Sequence, residues 1–79
     1  MKILFFSSAW CASCKPVKNM IKEIQLDTVD FDADSDPEEF KNWNVRSIPA
    51  LLLLDNEGKE TLRLTGGITK DKIQELKGE

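Results

Sequence analysis

An α/β domain with the element order β-α-β-α-β-β-α is predicted from three features of the 79-residue chain. An apolar run at Lys2–Phe6 reads as a central strand buried on both faces, and a continuous apolar run at Ala50–Leu54 reads as another strand. Apolar residues recur at helical spacing between Ser13 and Leu26. A turn-forming Asp55-Asn56-Glu57-Gly58 separates Ala50–Leu54 from an alternating run, so the second half contains a hairpin.

The elements follow in order. After Lys2–Phe6, the residues Val17, Met20, Ile21 and Ile24 form one buried helical stripe. Pro16 is tolerated only if this helix begins near Cys11 to Ser13, because the first four backbone N–H groups of a helix lack internal acceptors. Thr28–Asp32 reads as a short strand with Val29 and Phe31 inward. Asp36 is placed to cap the next helix and Pro37 suits its first position. Glu38 and Glu39 then sit at its positive end, and Phe40 and Trp43 anchor it before it fades by Asn44. In the hairpin's second strand, Lys59–Thr65, Leu62 and Leu64 share a face, and Gly66-Gly67 ends it. Thr69 caps a last helix running to about Lys77, with Ile68, Ile73 and Leu76 apolar.

Composition narrows the chemistry. The length predicts one domain, 1–79, and 41% hydrophobic residues suffice for a small core without metal or structural disulfides. A net charge of −3 with no basic patch argues against a nucleic-acid or anionic-membrane partner. The acidic stretch from Asp27 to Glu39 reads as a solvated loop and helix start. The absence of histidine excludes Cys-His and Ser-His nucleophile pairs and His-containing zinc sites. Asp30, Asp32 and Asp34 alternate as a strand edge running into a turn, so no metal site is expected. The apolar start is too short for a signal-peptide core, and no run is long enough to cross a membrane. A cytoplasmic location is the expectation.

Both cysteines are spent on one C-x-x-C, in Trp10-Cys11-Ala12-Ser13-Cys14-Lys15, between the first strand and the first helix. Two thiols at that spacing on a strand-to-helix turn suit reversible thiol–disulfide exchange. As a staple the pair is weak, since closing a loop of four residues removes only ~2 kcal/mol of unfolded-chain entropy. The attacking species is a thiolate, and an ordinary cysteine, with a pKa of about 8.5, is mostly protonated at neutral pH. A helix N-terminus supplies ~0.3–1 kcal/mol toward the charged form, up to ~2 when partly buried. Hydrogen bonds from free N–H groups and the second thiol supply more, and Lys15 is a candidate for further tuning. A zinc half-site completed by dimerisation is the weakest alternative, because two cysteines cannot close a tetrahedron.

Trp10-Cys11-x-x-Cys14-Lys15 after a strand, Ser47-Ile48-Pro49-Ala50 before a strand, and Gly66 after the hairpin together resemble the thioredoxin family. The resemblance runs from Ile3 to Leu76. It implies a thioredoxin-like fold, with a central four-stranded mixed sheet flanked by three helices. It also implies a cis peptide bond at Ile48-Pro49, where an ordinary strand-initiating proline is the alternative. Members of that family ordinarily carry an additional strand and helix before the strand that leads into the cysteines; the order here is trimmed to that of glutaredoxin. The family's buried aspartate aligns with Phe5 and its lysine partner with Asp30. Ala12-Ser13 stands in place of the familiar Gly-Pro.

By this resemblance Cys11 is the exposed nucleophile and Cys14 the deeper, resolving cysteine of a protein-disulfide oxidoreductase, with no cofactor beyond the redox-active disulfide. Trp10, Ile48, Pro49 and Gly66 form the substrate-binding surface. Trp10 is a contact platform or part of the core. Gly66 permits close approach near Pro49 or is a plain turn residue. The implied partners of the monomer are disulfide-containing client proteins, with a thioredoxin-reductase-like flavoenzyme or glutathione as electron donor. A glutathione-dependent enzyme and a non-catalytic binding module of the same fold are the competing readings.

Overall fold

The computed structural model describes residues 2–78, so Met1 and Glu79, the ends of the expected domain, lie outside the described residues. Its elements are β1 (Lys2–Ser7), α1 (Cys14–Ile24), β2 (Val29–Asp32), α2 (Pro37–Asn42), β3 (Ala50–Leu54), β4 (Glu60–Thr65) and α3 (Lys70–Gly78). They form one four-stranded sheet in the order β2-β1-β3-β4. β2 runs parallel to β1, whereas β1–β3 and β3–β4 are antiparallel, which makes the sheet mixed as expected.

The central strands are apolar because both of their faces are covered. On one face, Ile3, Phe5, Leu51 and Leu53 pack with Val17, Ile21 and Ile24 of α1 and Ile73 and Leu76 of α3. On the other, Leu4, Phe6, Leu52 and Leu54 meet Phe31 and, from the short α2 region, Phe40 and Trp43. Phe6 sits edge-on to Phe40 at a centroid distance of 5.0 Å and beside Phe31 at 5.2 Å.

Two apolar residues of the edge strands are not buried, and one of them, Val29, was expected inward. Val29 pairs with Leu4 in register, so it lies on the α2 face, yet it is 39% exposed because β2 is the sheet edge and α2 is only six residues long. Leu62 pairs with Leu53 and shares a face with Leu64, but β4 is the other edge and Leu62 is also 39% exposed. Asp36 occupies the N-cap of α2 without capping it. Its carboxylate instead accepts the Asp32 N–H at 3.0 Å, while the Asp36 N–H donates to the Asp32 carbonyl at 2.7 Å. Thr69 does cap α3, its hydroxyl accepting the Lys72 N–H at 3.3 Å.

The hairpin turn is built around Asp55, whose carboxylate accepts the N–H groups of Glu57 and Lys59. Gly58 supplies the left-handed conformation that closes it, at φ +82°.

Candidate functional site

Strand register gathers the predicted site residues at one end of the sheet. Phe6 near the end of β1 faces Ala50 at the start of β3, and Ala50 faces Thr65 at the end of β4. The cysteine loop following β1, Pro49 preceding β3 and Gly66 following β4 therefore share that end. Ile48-Pro49 is a cis peptide bond, as the resemblance implied. Pro49 is buried, and Ile48 is half-buried against the Leu4–Phe6 cluster.

Cys11 and Cys14 are joined in a disulfide, with Cα atoms 5.4 Å apart. The helix begins at Cys14, just past the expected start near Cys11 to Ser13, and Cys11 precedes it in tight turns. The Cys14 N–H donates to the Cys11 carbonyl at 3.2 Å, the Lys15 N–H to Ala12 at 3.3 Å, and the Cys11 N–H to Ser8 at 3.3 Å. Pro16, at the third helical position, needs no internal acceptor for its missing N–H. The expected order of depth holds, but Cys11 is itself nearly buried: it is 8% exposed and Cys14 is 0%. Trp10, the residue before Cys11, stands 68% exposed. At that exposure Trp10 is not part of the core.

Gly66 is exposed and takes a positive φ of 68°; a Cβ there would meet no protein atom within 4 Å. The chain does not crowd it near Pro49, so conformation is what glycine supplies at this turn. Lys15 is exposed on the wall of a groove that also includes Phe5 and Asp30. Among the described residues no cluster of three or more His, Cys, Asp or Glu side chains could hold a metal ion. No helix among them is long and apolar enough to cross a membrane.

Two serines at the site did not emerge from the sequence. Ser13 is at the N-cap of α1 but makes no capping bond; its Oγ lies 3.4 Å from the Cys11 sulfur. Its position between the cysteines was the available signal. Ser8 is 1% exposed, and its hydroxyl lacks a hydrogen-bond partner among the described residues. No pattern of residue types distinguishes it from an ordinary loop serine.

Comparison with known proteins agrees with this geometry. Thioredoxin of Mycobacterium tuberculosis is 34% identical over 67 residues, covering 77% of this chain and 57% of that protein. Thioredoxin of Listeria monocytogenes is 31% identical over 77 residues, covering 90% and 74%. A bifunctional thioredoxin reductase/thioredoxin of Mycobacterium leprae is 33% identical over 67 residues, 77% of this chain and 14% of that one. The chain thus spans little more than half the length of the mycobacterial thioredoxin it matches. Thioredoxin 1 of Thermosipho africanus superposes with a TM-score of 0.77 at 22% identity, covering 99% of this chain and 91% of that one. A mutant thioredoxin from Halobacterium salinarum superposes at 0.81 with 20% identity, covering 94% and 68%, so the fold is shared. The Thioredoxin family model matches residues 1–77, and with the Cys11–Cys14 pair at the head of α1 this chain belongs to the thioredoxin family.

Proposed function

We propose that the chain is a small thiol–disulfide oxidoreductase that reduces protein disulfides through Cys11 and Cys14. The observation that carries the reading is the Cys11–Cys14 bond, with Cys14 fully buried and Cys11 less so, next in sequence to the exposed Trp10. In the reduced protein the Cys11 thiolate attacks one sulfur of a client disulfide. The client S–S bond breaks, its second sulfur leaves as a thiolate and takes a proton, and a mixed disulfide forms at Cys11. Cys14 loses its proton and attacks the Cys11 sulfur. The mixed disulfide breaks, the second client thiol departs, and Cys11–Cys14 is left oxidised. Two electrons and two protons have passed to the client.

Trp10, Ile48, Pro49 and Gly66 form the client-binding rim in this reading, and Lys15 adds positive charge near the start of the helix. The electrons reside in the cysteine pair, so no prosthetic group is required. A thioredoxin-reductase-like flavoenzyme is the proposed donor, a pairing supported by the relative whose name joins the two activities in one chain. No relative named above favours glutathione. A cytoplasmic, monomeric protein is part of the proposal, and a reducing compartment favours the reductive direction.

The test is turnover of insulin disulfides with single cysteine variants. Cys11→Ser abolishes reduction, and Cys14→Ser accumulates a covalent client adduct visible by mass spectrometry. Loss of activity in both variants with no adduct in either overturns the assignment of roles.

A further inference from the structure

A groove of about 310 Å³ opens beside the cysteine helix, between α1 and the edge strand β2. Phe5 and Ile21 line its floor, where at 2% and 8% exposure they show little surface, and the stems of the lysines extend the apolar lining. Its α1 wall carries Lys15, Lys18 and Lys22, and Asp30 stands on the opposite side. Phe5 and Asp30 are register partners on β1 and β2, so their side chains share the face that α1 covers. The groove remains open because β2 is the outermost strand.

The charge of this groove is opposite to that of the molecule. The chain carries a net −3, yet the groove walls hold three lysines against one aspartate. Asp30 already accepts the Thr28 hydroxyl at 2.6 Å. Among the described residues none of the three lysines has an ion pair or a side-chain hydrogen bond, whereas Lys59, Arg63 and Lys70 are each paired with a glutamate. The lysines recur at intervals of three and four residues, so they line one side of the helix over a rise of about 10 Å. That length matches about three residues of extended chain. Unpaired cations on the rim of an apolar floor complement a ligand with both carboxylates and apolar side chains.

We infer that this groove is a docking site for an extended segment of a partner protein that alternates acidic and apolar residues. Apolar side chains of the segment lie along the groove against the lysine stems and the exposed edges of Phe5 and Ile21, and its carboxylates meet Lys15, Lys18 and Lys22. Docking itself does not require thiol chemistry. Its consequence, delivery of acidic clients or of an acidic donor to Cys11, rests on the oxidoreductase reading.

The test is fluorescence anisotropy of labelled Glu-Leu-Glu-Leu-Glu with the oxidised protein, against Lys-Leu-Lys-Leu-Lys and Glu-Gly-Glu-Gly-Glu. The acidic-apolar peptide is expected to bind at least tenfold more tightly than either control. Binding weakens with added salt and falls at least tenfold in Lys18→Glu/Lys22→Glu. A matching circular-dichroism spectrum establishes that the variant is folded. Equal binding of the three peptides, or undiminished binding by the folded variant, overturns the site. A dimer by light scattering that the double variant dissolves makes a second copy the occupant and also overturns the partner-segment proposal. Reduction of a small uncharged disulfide is measured alongside. If that fails while peptide binding persists, the oxidoreductase reading falls and the docking site stands.

Discussion

Ser13 occupies an N-cap yet spends its hydroxyl on the Cys11 sulfur, 3.4 Å away. A thiolate is a better acceptor than a disulfide sulfur, so this contact favours the reduced form. A partly buried hydrogen bond of this kind is worth about 1 kcal/mol, which corresponds to about 20 mV for a two-electron couple. Ser13→Ala is therefore expected to make the Cys11/Cys14 potential about 20 mV more negative, with Ser13→Thr near wild type, measured by equilibration with a dithiol buffer. An unchanged potential in Ser13→Ala removes Ser13 from the site. At this scale the pairing of the cysteines and the cis bond before Pro49 were legible in the sequence, and the contacts of the serines were not. Cysteine spacing and an X-Pro bond restrict chemistry by themselves. A serine takes its role from the direction of one rotatable hydroxyl, which only packing decides.

Helix and strand ends show where local pattern stops being sufficient. The stripe of α1 was legible, but its exit was not: Gln25 turns left-handed at φ 60°. The Leu26 N–H donates to the Ile21 carbonyl at 3.0 Å and the Gln25 N–H to Lys22 at 3.2 Å, with Leu26 and Ile21 both in the core. This is the helix stop usually made by glycine. Gln25→Gly is expected to raise stability by about 0.5–1 kcal/mol in urea unfolding, because relief at positive φ outweighs the added chain entropy. A loss of stability argues that the Gln25 side chain contributes more than its backbone costs. A second tie, from β4 to the end of α2, was invisible in the sequence because its partners are backbone carbonyls 20 and 19 residues away. The Arg63 guanidinium donates to the carbonyls of Trp43 at 2.7 Å and Asn44 at 3.1 Å and pairs with Glu60 at 2.7 Å. The hydrogen bond from Arg63 holds the Glu60 carboxyl below its ordinary 4.5 against a smaller opposing effect of burial, and Arg63 is raised by the same bond. For a carboxylate lowered in the folded state, the contribution to stability is present above the unfolded value and fades as pH falls through the folded one. Glu60→Gln should accordingly cost stability at neutral pH and flatten the loss below pH ~4.5, read from urea midpoints across pH. Identical acid profiles for variant and wild type exclude this pair as a contributor.

For the whole molecule, a mixed four-stranded sheet was implied by the family resemblance and the covering of β1 on both faces by its apolar content, whereas the strand order and the exposed Val29 and Leu62 were not. Periodicity reports which face a residue takes, but whether anything covers that face depends on neighbouring elements that a 79-residue chain supplies sparingly. The groove beside α1 has the same origin: Phe5 and Asp30 were noted as departures from family residues, and the opening beside them follows from β2 lying at the edge. The redox state then acts on the stability of the entire fold. The Cys11–Cys14 link removes ~2 kcal/mol of unfolded-chain entropy by loop length alone. Any stabilisation of the reduced site by the Ser13 hydroxyl acts against that difference. Oxidised protein is thus expected to be more stable than reduced, by ~2 kcal/mol or somewhat less, in paired urea titrations. By linkage, each ~1.4 kcal/mol of shortfall corresponds to about 30 mV of more oxidising potential relative to the unfolded chain. A gap close to the entropic value belongs with a reductant, as proposed. A reduced form several kcal/mol more stable than the oxidised one identifies a disulfide donor and reverses the direction of the proposed reaction, while leaving Cys11 and Cys14 as its residues.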